Sequence, residues 1–196
     1  MPYENRELFN AIEREFLQLR YRWGLFCQLF DSGQSNIDLL NKSGSNVFQL
    51  LQKLVIDDLM MSLCRLSDRN ESMGHENASI RNMINRAKEN LSNETNSKVQ
   101  GLLSELDRHL KNISKLRNKA LSHTDYEHAL NPELLPRPTY DELENSVDVI
   151  RRILGALSSE LYNYSTSYVP LMPLGHDGNK LLAVLTKAHG YQKNEG

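Results

Sequence analysis

The amino-acid sequence predicts an all-α protein, a bundle of four long helices with short additional helices. Three observations carry that expectation. Apolar residues recur at steps of three and four along most of the chain, while period-two alternation is nearly absent. The periodic runs are bounded by turn and capping signals, as separate helices require. At 196 residues, with 39% hydrophobic and 24% charged residues, the chain is long enough to close a core without disulfide or metal staples.

The first helix is expected over about residues 4–30. Leu8, Ile12, Phe16, Leu19, Trp23, Phe26 and Phe30 form its apolar stripe, and Asp31-Ser32-Gly33 stops it. A short helix is expected over about residues 36–41, before a break at Ser43-Gly44-Ser45. A second long helix should cover about residues 46–67. Val47, Phe48, Leu51, Leu54, Leu59, Met60 and Leu63 point in almost every direction, a pattern that belongs at the centre of a bundle. The polar stretch 69–77 is predicted as a loop, 79–91 as a weaker amphipathic helix and about 97–121 as the third long helix. After a proline-containing loop, Thr139 and Glu142 form a capping-box signature opening the fourth long helix, through Leu161. A short terminal helix is expected over about residues 177–188. This divides the chain into a bundle, residues 1–165, and a C-terminal extension, residues 166–196.

Twenty-three Lys and Arg against 25 Asp and Glu leave a net charge of −2. That excludes a broadly basic nucleic-acid coat, though not a local basic patch. Cys27 and Cys64 both fall inside apolar helical runs, which fits core packing and a reducing compartment. The first residues are polar, with no signal-like apolar segment, and Asp57, Asp58 and Arg65 interrupt the most apolar stretch. The expectation is a cytoplasmic protein with no membrane partner. The scattered histidines show no zinc spacing and no glycine-rich phosphate loop is present, so no cofactor and no metal is expected.

The third long helix holds the first functional signal. Val99, Leu103, Leu106, Leu110 and Ile113 make one narrow stripe, and Arg117 is its next member. A guanidinium in a core stripe must find a partner or line a cavity, because unpaired burial is costly. Lys111, Lys115 and Lys119 lie on the opposite face, where a solvated lysine stripe also suits the negative helix end. The second helix offers counter-charges. Asp58, Arg65 and Asp68 share a face with Leu50, Leu54 and Met61, and Asp57 lies on its flank. Asp57 or Asp58 is an expected partner for Arg117. An internal ion-pair network that only fixes helix packing explains the same charges equally well.

Arg117 opens the segment Arg-Asn-Lys-Ala-Leu-Ser-His, ending at His123. This resembles the R-x(4–6)-H signature of HEPN domains, in the form with Asn after the Arg. Within that superfamily the chain resembles the AbiU-type abortive-infection proteins. The resemblance rests on the block from Asp57 to Asp68, the block Leu116-Arg117-Asn118-Lys119-Ala120-Leu121-Ser122-His123-Thr124-Asp125, and Pro138-Thr139-Tyr140-Asp141-Glu142-Leu143.

The resemblance implies a metal-independent endoribonuclease that uses the 2′-hydroxyl of RNA as nucleophile, in phage defence or a toxin-like response. His123 is then the general acid or base, as an imidazole titrating near neutral pH allows. Arg117 holds the scissile phosphate, and Asn118 binds phosphate or orients the histidine. Asp57, Asp58 and Arg65 are supporting residues, and Lys115 and Lys119 contact RNA. Six residues of α-helix rise about 9 Å and turn the two side chains about 120° apart. One chain therefore does not bring them together without a break in the helix, and a homodimer with a composite cleft is expected. An antitoxin protein is the further partner class implied. Some HEPN toxins carry a Tyr two residues after the His, where a nucleotidyltransferase modifies it. Here Asp125 takes that place and Tyr126 follows. Two other readings stay open: a non-catalytic HEPN module binding RNA or a partner protein, and a structural helical adaptor.

Overall fold

The computed structural model describes residues 3–121, 126–169, 172 and 175–192. The described residues are overwhelmingly helical, as expected. The long helices are α1 (Tyr3–Phe30), α2 (Gln34–Ser67), α4 (Asn93–Leu116) and α6 (Tyr140–Tyr162). The shorter ones are α3 (Ile80–Ala87), α5 (Tyr126–Leu130) and α7 (Gly178–Gln192). Two details escaped the sequence reading. The polar stretch after α2 pairs Glu71–Ser72 (β1) with His75–Glu76 (β2) in a minimal antiparallel hairpin. Met73 and Gly74 turn it with positive φ. The proline-containing loop holds α5 and a 3₁₀ turn at Pro132–Leu134. No helix among the described residues is long and apolar enough to cross a membrane.

Two compact units emerge. The first comprises residues 1–17 and 60–168. Its centre is the pairing of α4 with α6. The α4 stripe, Val99, Leu103, Leu106, Leu110 and Ile113, is buried, as are Val147, Ile150, Ile153, Leu154 and Leu157 of α6. Phe9 and Phe16 of α1 are fully buried, with Phe9 against the Tyr162 ring at 4.8 Å and Phe16 edge-on to Tyr168 at 5.6 Å. The predicted capping box is present. Thr139 Oγ1 accepts from the Glu142 N–H, and the Glu142 carboxylate accepts from the Thr139 N–H. Glu142 also accepts from Asn112 Nδ2 at 2.7 Å, so the box that starts α6 tethers it to α4.

After α6, Asn163 reverses the chain in the left-handed region. Tyr164 and Tyr168 then donate their hydroxyls to the same Glu13 oxygen, at 2.5 and 2.7 Å. Burial, followed by these hydrogen bonds, pushes both phenols well above their ordinary range. Tyr168 keeps a φ of +51°, unfavourable for a bulky side chain. Its buried ring and its bond to Glu13 hold it there.

Helix α4 starts four residues before the expected position because Ser92 caps it, accepting from the Thr95 N–H. Glu160 of α6 reinforces this start, accepting from the Ser92 N–H at 2.7 Å and from the Thr95 hydroxyl at 2.9 Å. These hydrogen bonds hold its carboxyl below the ordinary value of 4.5. The folded-state pKa is thus lower than the unfolded one. The stabilisation is complete above the unfolded value and drains as pH falls through the folded one. A urea titration repeated through the acid range should therefore show a steeper loss of midpoint for the native protein than for Glu160→Gln. Identical slopes would remove Glu160 from this role.

The second unit comprises residues 18–59 and 169–196. Leu19, Trp23, Phe26, Leu40 and Leu59 are buried in it, with Trp23 stacked on Phe26 at 5.7 Å. Gln28 accepts from the Gly178 N–H at 2.9 Å, which satisfies an orphan donor at the start of α7. His189 near the other end of α7 meets the Ser43 hydroxyl at 2.9 Å. Residues expected as a short helix and a long one form the single element α2, kinked at Gly44, whose φ of 165° and ψ of 68° leave the helical region.

The expectation that α2 is central along its whole length is corrected. Leu59, Met60, Leu63, Cys64 and Leu66 are buried, but Val47, Leu50, Leu51 and Leu54 are 43–60% exposed. Their i, i+3, i+4, i+7 spacing makes a solvent-facing apolar stripe.

Candidate functional site

The site grows from the place where α4 ends. The α-helical hydrogen bonding stops at Leu116, and a π-helical turn runs over Arg117–Leu121. Such wide turns are rare and are frequent at functional sites. The break falls on the first residue of the Arg-to-His segment, so the regular-helix geometry that separated its two ends does not apply to the whole segment. His123, with Ser122, Thr124 and Asp125, lies outside the described residues.

Arg117 Nη1 donates to Asp68 Oδ1 at 2.7 Å, and both side chains are about 30% exposed. Burial alone would lower the guanidinium's pKa. The hydrogen bond and charge of Asp68, with the Cys64 sulfur as a further contact, outweigh it and hold the group above its ordinary range. The expected pairing of Arg117 with Asp57 or Asp58 is therefore corrected to Asp68. That residue directly follows Ser67, the last residue of α2, four positions after Cys64. Asp57 pairs instead with Lys53, one turn earlier on α2, and Asp58 with Arg22 at 2.8 Å. Arg65 reaches Glu15 and the Ser62 hydroxyl, both at 2.8 Å. Asn118 and Lys115 are exposed, and Lys119 is half-buried.

Around Arg117 lies an open hollow of about 400 Å³, walled by the end of α2, α3 and the end of α4. Cys64, Asp68, Arg69, Arg81, Asp107 and Ser114 line it with Arg117 and Asn118. Arg81 is fixed from two sides: its Nε donates to the Ser67 carbonyl at 3.0 Å, and its Nη2 is ion-paired with Asp107. Cys64 is buried beneath Arg117. Burial pushes its thiol up, while the charge of Arg117 and a hydrogen bond with Ser114 offset part of that. A raised, shielded thiol is a poor nucleophile, so Cys64 packs the floor.

Three guanidinium groups against two carboxylates leave the hollow with a net positive charge. Each carboxylate is already engaged by one arginine, and a guanidinium has five donors. Arg117 thus keeps donors for an anion while Asp68 holds its plane. The arrangement suits a phosphate-sized anion gripped at two points. Among the described residues, no three His, Cys, Asp or Glu side chains gather as a metal site would need.

Arg81, Asp107 and Ser114 were not singled out by the sequence. Arg81 sits in the first turn of a short amphipathic helix and looks like any exposed cation there. Only the packing of α3 beside α4 brings it to Arg117. Asp68 was legible as a member of the charged face but not as the member that pairs.

The family model HEPN AbiU2 matches residues 3–180. The chain belongs to the AbiU2 family of HEPN proteins. The match takes in nearly the whole chain, so AbiU2 membership extends beyond the Arg-to-His segment to the helices that frame it. No curated protein and no solved structure matches the chain. The geometry around Arg117 therefore stands on this AbiU2 protein's own residues.

Proposed function

We propose that this AbiU2 protein is a metal-independent endoribonuclease whose site is built from Arg117, Asn118 and His123. The observation that carries the reading is a half-buried guanidinium, held by Asp68 in a cationic hollow at the π turn that opens the Arg-to-His segment. In this reading the phosphate of an RNA strand lies against Arg117. An imidazole of His123 takes the proton from the adjacent 2′-hydroxyl. The 2′-oxygen bonds to phosphorus, and the bond from phosphorus to the 5′-oxygen breaks. An imidazolium returns a proton to that leaving oxygen. The products are a 2′,3′-cyclic phosphate end and a 5′-hydroxyl end. Arg117 counters the charge that builds on the phosphoryl oxygens. DNA lacks the nucleophile and is bound without being cut.

The working form is a homodimer, with motifs from two chains facing one cleft across a two-fold axis. Such a toxin-like enzyme requires restraint, and a protein antitoxin is the class of partner that supplies it. A cytoplasmic location follows from the RNA substrate.

Cleavage of single-stranded RNA by the purified protein in excess EDTA, with His123→Ala inactive, is the result expected. End-group analysis should find the cyclic phosphate. Activity abolished by EDTA, or retained in His123→Ala, would overturn the mechanism. One observation favours a second reading: Asp68 already answers the charge of Arg117. In a non-catalytic module that binds RNA or a partner protein, the parent leaves RNA intact at any concentration, and Arg117→Glu weakens binding.

A further inference from the structure

Arg81 belongs to two hollows at once. On one side it lines the space around Arg117; on the other it lines a second open hollow of about 380 Å³. We propose that this second hollow is a nucleotide-binding subsite for single-stranded RNA, adjoining the phosphate site at Arg117. The proposal rests on the ribonuclease reading above and names where the substrate strand continues.

The second hollow has the size of a small-molecule site. Its floor is apolar, made by the buried side chains of Ile84 and Leu103. The side chains around that floor are of two kinds. Arg81 and Lys88 are cations; Asn70, Asn85, Asn96 and Gln100 are amides. Among the described residues no carboxylate lines it, although the chain as a whole is slightly acidic. Its cations favour an anionic ligand over a cationic one.

The amides narrow the class further. Each offers a donor pair and an acceptor on one short plane, the pattern that matches a base edge. An aliphatic floor beneath them suits the flat face of a base, while the cations suit the phosphates that flank it. Asn96 adds an independent sign. Its Oδ1 is buried without a hydrogen-bond partner. A buried acceptor left unpaired is costly and uncommon. Rotation of the amide toward the hollow lets a ligand N–H satisfy it.

Continuity with the Arg117 hollow selects the form of nucleic acid. A strand passing from one hollow to the other crosses the Arg81 guanidinium, which Ser67 and Asp107 hold in place. Bases of a double helix are stacked and paired, and their edges do not enter such a hollow; those of a single strand do. Arg81 is then the hinge of the path, with a phosphate on its exposed edge.

The test is fluorescence anisotropy with a labelled single-stranded RNA ten-mer of mixed sequence, in excess EDTA, using the full chain carrying His123→Ala so that the RNA stays intact. Asn85, Lys88 and Gln100 are exposed, so changing them leaves the fold in place. The double variant Asn85→Ala, Gln100→Ala should weaken binding about tenfold through lost base-edge contacts. Lys88→Glu should weaken it by a similar factor and lower the slope of log affinity against log salt by about one. Lys42→Glu, the same charge change in the other compact unit, should leave binding within about twofold. The subsite is overturned if the hollow's variants bind as the parent does, or if Lys42→Glu weakens binding as much as Lys88→Glu. A parent that binds no RNA overturns the ribonuclease reading and the subsite with it. If the unsubstituted chain cleaves RNA and the His123→Ala parent binds it, while the hollow's variants bind as that parent does, the subsite alone is overturned.

Discussion

Arg117→Ala is expected to lower the rate of RNA cleavage by about 10²–10³-fold, the loss typical when one preorganised donor to a developing oxyanion is removed. The effect should fall on kcat, since the guanidinium meets its strongest demand when charge builds on the phosphoryl oxygens. Arg117→Lys keeps the charge but loses the planar fork that lets one group engage Asp68 and a phosphate together. Most of the loss should therefore remain in that variant. Stability should change little, because an ion pair about a third exposed on both sides contributes only about 0–1 kcal/mol. Single-turnover cleavage beside a urea melt separates the two effects. Cleavage by Arg117→Ala within about threefold of the parent would contradict the assignment of the phosphate to this residue.

The largest effect on stability is expected at Phe16. Its side chain is fully buried and meets the Tyr168 ring edge-on. Phe16→Ala removes the ring and leaves a cavity that the surrounding helices fill only in part, at a cost of about 3–5 kcal/mol. For a domain with a total stability of about 5–15 kcal/mol, that is a large share. The measurement is the urea midpoint at constant m. A shift corresponding to less than about 1 kcal/mol would mean that the ring is not packed as described. This substitution also serves as the counterpart to Arg117→Ala: one should weaken the fold, the other the chemistry with the fold intact.

The elements most legible in the sequence were those whose signals are local. The capping box at Thr139 and Glu142 stands where it was expected, because its hydrogen bonds join residues three apart. The α4 stripe from Val99 to Ile113 is buried as a unit, because the helical period alone puts those residues on one face. The α4 boundary was misplaced at its start. The Ser92 cap on the Thr95 N–H is local and was overlooked, whereas Glu160, which reinforces it, is 68 positions from Ser92 and carries no local signal. The reading of α2 failed for a related reason. A helix apolar on many sides predicts burial only where neighbours exist to cover it, and Val47, Leu50, Leu51 and Leu54 face solvent.

The candidate site divides in the same way. That Arg117 needs a partner was evident from its place in an apolar stripe, since a charge pointing into a core must be answered. Which carboxylate answers it was not. Asp57 and Asp58 lie on α2, where Lys53 and Arg22 engage them, and Asp68 stands just past its end. Arg81 entered the hollow without any sequence signal.

By itself the order of residues determined the helical class, the capping of α6, the buried stripe of α4 and the position of the Arg-to-His segment. Each depends on neighbours within one or two turns, where geometry is set by the helix itself. Only the folded chain decided that Asp68 holds Arg117, that α4 gives way to a π turn at that residue, and that Arg81 joins two hollows. Those outcomes depend on distances between segments tens of residues apart, which the packing of α2, α3 and α4 sets.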